Sequence, residues 1–245
     1  MPVSGPKPPW LRVRLPAVGA YREENSLLDN LRLHTDCEKA QCPNKGECHS
    51  GTATFLILGE VCTRRCRFCA VAKGTPQPLD WGEPERVARA VEALGLKYAV
   101  ITSVTRDDVP DGGAAVFAEA IRAIRRRVPS CKVEVLVPDF QGSDAALQAV
   151  IDAGPDVLNH NLETVPRLYA VARPGADYDR SLRLLRRARE MAPGLLTKTG
   201  LMLGLGETPD EVRAVMADLV RIGCDLLTLG QYLQPSRAHL PVERW

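Results

Sequence analysis

The stretch TATFLILGEVCTRRCRFC, residues 52–69, decides the fold. Its first seven residues are β-branched, aromatic or aliphatic and end at Gly59, so they read as a strand buried on both faces. Three cysteines at C-x₃-C-x₂-C spacing follow at once, which places them in the loop at that strand's C-terminal end. A second triplet, CEKAQCPNKGEC (37–48), lies just upstream at C-x₄-C-x₅-C spacing, and the two triplets take six of the eight cysteines.

Outward from this strand the rhythm repeats. Apolar runs at KYAVITS (97–103), KVEVLVP (132–138), DVLNHN (156–161), LLTKTGLML (195–203) and DLLTLGQ (225–231) read as five more buried strands. Helical periodicity fills the gaps near 83–95, 113–127, 143–153, 178–192 and 208–222, with Gly95, Gly154 and Gly223 placed to end helices. Strands alternating with helices predict a parallel sheet with right-handed crossovers. An open doubly wound sheet and a partial barrel both satisfy that alternation. Ser103, Thr105, Asn159, His160, Asn161, Lys198, Gly230 and Gln231 fall at or just past strand ends, where barrel enzymes gather their chemistry, and this favours the barrel. The expected fold class is α/β, a partial (β/α)6 TIM-type barrel over residues 51–245 as one compact unit, with a Cys-rich N-terminal extension over 1–50.

Composition narrows the function classes. The 245 residues carry 32 basic and 30 acidic side chains, a net charge of +2, so there is no global field that would favour nucleic acid or a membrane surface. The basic runs RAIRRRV (122–128) and RLLRRARE (183–190) read as solvent faces of amphipathic helices. No run approaches the roughly 18 apolar residues of a membrane span, and the Pro-rich leader has no signal-peptide core, so the expected location is cytoplasmic. Clustered cysteines in a reducing compartment point to metal binding or catalysis rather than to disulfides. Three thiolates at Cys62, Cys66 and Cys69 suit three irons of a [4Fe–4S] cubane, leaving the fourth iron open to a small ligand. A structural zinc ion, which needs four closed ligands, is the alternative. Cys131 and Cys224, at strand starts away from the triplets, read as small buried hydrophobes.

The C-x₃-C-x₂-C triplet, with Phe68 before its last cysteine, resembles the signature of radical S-adenosylmethionine enzymes. Together with CEKAQCPNKGEC and the segments GTATFLILG, TSVTRDDVPDGGA, VEVLVPDF, VLNHNLETVPRLY, TKTGLMLGLGET and TLGQYLQPS, it resembles the lipoyl synthase family along nearly the whole chain. The resemblance implies two [4Fe–4S] clusters and S-adenosyl-L-methionine as cofactors. Cys62, Cys66 and Cys69 would hold the cluster that cleaves S-adenosylmethionine to a 5′-deoxyadenosyl radical. Cys37, Cys42 and Cys48 would hold an auxiliary cluster that donates sulfur. The implied reaction inserts two sulfur atoms at C6 and C8 of an octanoyl group on a carrier lysine. The implied partners are an octanoylated lipoyl domain or glycine cleavage H protein and a donor such as flavodoxin or ferredoxin.

Site residues beyond the cysteines are expected to bind cofactor, and no further catalytic residue is expected. Asn161 and Glu163 suit ribose hydroxyls or, alternatively, cap the following turn. Arg173 and Lys198 are cations for the methionine carboxylate or the substrate backbone. Gly112 and Gly113 resemble the glycine segment that approaches the methionine amine, or else open a helix. Family members usually end in an Arg-Ser-Ser-Tyr segment whose serine completes the auxiliary cluster. This sequence stops at HLPVERW, and Ser143, Ser181 and Ser236 stand in no such motif, so that segment is expected to be lacking. A radical enzyme without sulfur insertion and an inactive iron–sulfur-binding fragment stay open as alternatives.

Overall fold

The computed structural model describes residues 8–11, 28, 30–35 and 52–245. Cys37, Cys42 and Cys48, and most of the expected extension, lie outside the described residues.

Seven strands form the main sheet: β1 (His34–Thr35), β2 (Thr52–Ile57), β5 (Tyr98–Ser103), β6 (Lys132–Leu136), β7 (Val157–Asn159), β8 (Leu196–Leu203) and β9 (Leu226–Gln231). They follow one another in that order, and all pairs from β2 to β9 are parallel. The six strands anticipated from the sequence are therefore present as one parallel ladder. The antiparallel β1 and a small ladder of β3 (Val61–Cys62) with β4 (Ala72–Lys73) are additions that two-residue strands cannot announce by periodicity.

Helices connect the strands: α1 (Glu83–Ala93), α2 (Ala114–Arg127), α3 (Asp144–Ile151), α4 (Tyr169–Ala172), α5 (Tyr178–Met191) and α6 (Pro209–Ile222). Their starts are written locally. Ser143 and Asp177 cap α3 and α5, and Thr208 with Glu211 forms a capping box on α6. At the other end of α6, Gly223 takes φ +72°, the left-handed stop that glycine reaches without a Cβ penalty.

The sheet has two different faces. Ala99 and Ile101 of β5 and Val133 and Val135 of β6 are fully buried in the layer shared with the helices. The opposite face carries Thr102, Leu136, Asn159 and Lys198, paired one to the next across β5–β8. Glu134 lies on this inner face, 2% exposed, and accepts hydrogen bonds from Tyr98 Oη (2.7 Å), Asn159 Nδ2 (3.0 Å) and Lys198 Nζ (2.9 Å). A carboxylate buried in a sheet is tolerated because three donors from three other strands replace its water. The C-terminal segment then folds back over the loops, where Tyr232, Leu205 and Val242 form a second apolar cluster with Phe68, Leu240 and Trp245.

Candidate active site

The triplet loop leaves β2 through two left-handed residues, Leu58 (φ +70°) and Gly59 (φ +92°). Leu58 bears a side chain in a conformation that disfavours one, so the turn must be held from outside. Glu83 accepts the Leu58 N–H at 2.8 Å, and Arg106 Nη1 donates to the Leu58 carbonyl at 3.2 Å. Burial raises the Glu83 carboxyl above its usual range, against the pull of that N–H.

Beyond the turn, the loop after β5 grips the cysteines. Thr105 N–H donates to the Cys62 sulfur at 3.3 Å, while Thr63 N–H and Oγ1 both donate to the Thr105 carbonyl. Arg64, between the first two cysteines, is buried and donates in two-pronged fashion to Asp107 (2.8 and 3.0 Å) and to Asp139 (3.0 and 2.5 Å). One guanidinium thus ties the cysteine loop to the loops after β5 and β6.

The loop after β7 closes the other side. Arg67 N–H donates to the Ala172 carbonyl at 2.9 Å, bringing Arg173 beside Cys66. Arg173 is buried over the Tyr169 ring at 5.2 Å and donates through Nη1 to the carbonyls of Asn161 (2.9 Å) and Leu162 (3.0 Å). Burial works against its charge, yet Tyr169, Glu163 and Cys66 hold its pKa above the usual arginine range. Burial raises the Cys66 thiol, with Arg173 pulling it down and Glu163 pushing it up. Glu163 has φ +64° and accepts from Asn161 Nδ2 at 3.3 Å. The amide fits because residue 200 is glycine: a Cβ there would stand 2.8 Å from Asn161 Oδ1.

Cys62, Cys66 and Cys69 are free thiols. No three His, Cys, Asp or Glu side chains among the described residues close to the distances of a single metal ion. A cubane hands each thiolate to a separate iron, so the spacing it asks for is wider. The donor set fits such a cluster: three thiols on one loop, a backbone N–H on one sulfur, and a buried Arg173 whose Nε finds no partner among the described residues. A buried donor without an acceptor beside thiolates is suited to an anionic group.

The structure brings Cys62, Cys66, Cys69, Asn161, Glu163 and Arg173 together. Lys198 departs from its expected strand-end position: it is the third residue of the eight-residue β8 and pairs with Glu134 on the inner face. The reason is that β8 keeps pairing with β9 through Leu203, well past Lys198. Gly112 (φ +61°) and Gly113 (φ +88°) precede α2, where a Cβ on Gly113 would come within 2.3 Å of Leu58. Gly113 thus has a packing duty under the loop turn, and a Cβ on Gly112 would come within 3.0 Å of Phe140. Cys131 is fully buried, as expected, whereas Cys224 is only half-buried against the core. The basic runs are mostly ion-paired within the chain, as in Arg127 with Glu85 and Glu92, and Arg187 with Asp144 and Glu190. Sequence reading missed Arg64, Arg106, Asp107 and Asp139. Buried arginines in a loop leave no periodic trace, and their pairing depends on loops that meet only in the fold.

His160 belongs to the scaffold. It is 2% exposed, its Nδ1–H donates to the Val137 carbonyl at 2.8 Å, and its Nε2 lies 3.0 Å from Ser181 Oγ. Burial, with help from Arg173, lowers its pKa from 6.5 to about 4. The native state therefore refuses a proton that the unfolded chain accepts below pH 6.5. Its contribution is complete above that pH and is lost as pH falls towards about 4, an effect of about 3 kcal/mol. Urea unfolding between these limits should show the slope, and His160→Gln should flatten it; an unchanged slope in the variant would place the titration elsewhere.

A family model described as the radical SAM superfamily matches residues 56–219. The lipoyl synthase of Rubrobacter xylanophilus is 58% identical over 240 residues, which cover 98% of this chain and 75% of that protein. That of Syntrophotalea carbinolica is 59% identical over 98% of this chain and 78% of its own. The chain belongs to the lipoyl synthase family. Membership makes it a radical S-adenosylmethionine sulfurtransferase, with S-adenosyl-L-methionine and [4Fe–4S] clusters as cofactors. As in other lipoyl synthases, its substrate protein is a lipoyl carrier and its chemistry draws on a reductant. The fold is shared more widely: the crystal structure of methylornithine synthase matches with a TM-score of 0.63 at 16% identity, covering 91% of this chain and 67% of that one. Streptococcus suis SuiB bound to S-adenosylmethionine matches with a TM-score of 0.65 at 12% identity, covering 91% and 47%. No helix among the described residues is long and apolar enough to cross a membrane.

Proposed function

We propose that Cys62, Cys66 and Cys69 hold the radical-generating cluster, and that the chain inserts two sulfur atoms at C6 and C8 of a carrier-bound octanoyl group. The observation that carries the reading is the meeting of the triplet loop with Arg173, Asn161 and Glu163 from the loop after β7. When bound, a reduced [4Fe–4S] cluster supplies the electron that splits the sulfonium of S-adenosylmethionine.

Every other part of the reading concerns the chain's own residues. Arg64 fixes the loop so that the thiolates face the barrel mouth. Arg173, charged and dry, meets the negative charge gathered at the thiolates and the methionine carboxylate. Asn161 and Glu163 take the ribose hydroxyls. The strand ends and the folded-back C-terminal segment keep water from a reactive carbon-centred species. Cys37, Cys42 and Cys48 hold the second cluster, the sulfur source. Gly112, Gly113 and Lys198 serve as scaffold, Gly112 packing against Phe140, Gly113 under Leu58 and Lys198 pairing with Glu134. The carrier is a lipoyl domain or glycine cleavage H protein, the donor a flavodoxin or ferredoxin, the location the cytoplasm, and nucleic acid is no partner.

The test is the mass of an octanoyl-lysyl peptide after anaerobic incubation with the iron- and sulfide-reconstituted chain, S-adenosylmethionine and dithionite. A gain of two sulfur atoms with release of 5′-deoxyadenosine is the expected result. 5′-Deoxyadenosine without a mass change would overturn sulfur insertion alone, and neither product would overturn both halves.

A further inference from the structure

The C-terminal segment grips three consecutive residues of the cysteine loop. Leu240 N–H donates to the Arg67 carbonyl at 3.0 Å, Leu240 packs with Phe68 in the second apolar cluster, and His239 Nε2 donates to the Cys69 carbonyl at 3.1 Å. Lys73 Nζ donates to the same carbonyl at 2.9 Å. A carbonyl only accepts, so His239 Nε2 carries a proton, and Nδ1 on the other side of the ring meets Ser236 Oγ at 2.8 Å. The Ser236 oxygen is fixed in turn by the Ala238 N–H at 3.3 Å, and Tyr232 Oη ties the segment back through the Leu240 carbonyl at 2.8 Å. The contact joins residues 170 positions apart.

We propose that Ser236, His239 and Leu240 form a latch that positions Cys69, with Ser236 orienting His239 and His239 holding the cysteine's backbone. Cys62 ends β3 in the small ladder with β4, and Thr105 after β5 donates to its sulfur, so its direction is set from two sides. Cys69 lies in the turn between β3 and β4, where its own N–H donates to the Cys66 carbonyl at 3.4 Å. Fixing a ligand's carbonyl fixes the direction of its Cα–Cβ bond. Groups that orient a ligand from outside the ligand set govern how tightly the metal is held. His239 and Ser236 are positioning residues, since they touch the ligand's backbone and not the reacting atoms.

The inference rests on the reading of Cys62, Cys66 and Cys69 as cluster ligands, and its test separates the two. The full chain with Cys37, Cys42 and Cys48 changed to alanine is reconstituted with iron and sulfide, and the rate of iron release to a ferrous chelator is followed. His239→Ala should speed release about tenfold, the effect of losing one well-made hydrogen bond. Ser236→Ala should speed it less, because the ring stays but loses its orienter. His239→Gln, whose amide offers a donor at similar reach, should restore most of the parent rate. The iron-free chains should unfold within about 5 °C of one another, which a general loss of folding would not allow. Parent-like release from His239→Ala, or equal acceleration by His239→Gln, would overturn the latch. A parent that retains no cluster would overturn the underlying reading instead.

Discussion

Changing Cys66 to alanine should take 5′-deoxyadenosine formation to the no-protein background, while Cys42→Ala should keep that cleavage and lose only the sulfur gained by the octanoyl peptide. The contrast follows from dividing the two jobs between two triplets. A cluster that gives up sulfur is consumed and cannot also be the renewable source of electrons. Cys66 is the middle cysteine of the triplet and faces the rest of the site: its thiol senses Arg173, Glu163, Cys62 and Arg64. Two thiolates cannot anchor a cubane whose fourth iron must stay open, so one substitution suffices to end cleavage. The measurement is anaerobic product analysis of both variants beside the parent. Cleavage surviving in Cys66→Ala, or vanishing equally in Cys42→Ala, would reverse or merge the two assignments.

Arg64→Leu should be the most destabilising single change in the loop, at about 3–5 kcal/mol, because it strands a buried carboxylate. Asp139 is 1% exposed and receives two hydrogen bonds from Arg64. Its carboxyl stays below the usual range although burial pushes the other way, since Arg64 and the Gln141 N–H outweigh it. After the change, Arg180 at 3.5 Å and Gln141 remain near Asp139, which favours the lower part of that range. For a chain of this size the midpoint of thermal unfolding should fall by about 10 °C. Arg64→Leu combined with Asp139→Leu should recover much of the loss, because the stranded charge is gone, yet the loop would remain untethered and activity low. A double variant no more stable than the single would show that packing, and not the charge, is the cause. Replacing Arg64 by lysine should keep the charge but not both two-pronged pairs, giving an intermediate fall.

The sheet was legible because its strands are runs of apolar and β-branched residues separated by amphipathic helices with local caps. Ser143, Asp177 and Thr208 mark helix starts from within a few residues, and Gly223 marks an end. The cysteine triplets were legible for the same reason, since ligand spacing is a property of adjacent positions in the chain. Lys198 shows the limit. Its place after an apolar run says that it is near the barrel's inner face, but whether it meets a ligand or Glu134 depends on a carboxylate 64 residues earlier.

The sequence by itself determined the order of strands and helices, the two triplets and the family to which they belong, because each rests on periodicity, capping or spacing over short stretches. Only the tertiary structure decided which side chains hold the cysteine loop in place. Arg64 meets Asp139 across 75 residues, Arg173 comes beside Cys66 through the Ala172 carbonyl, and His239 reaches Cys69 across 170. Such contacts carry no local signature: each partner alone is an ordinary polar residue, and its pairing is set by where the barrel brings separate loops together at one mouth.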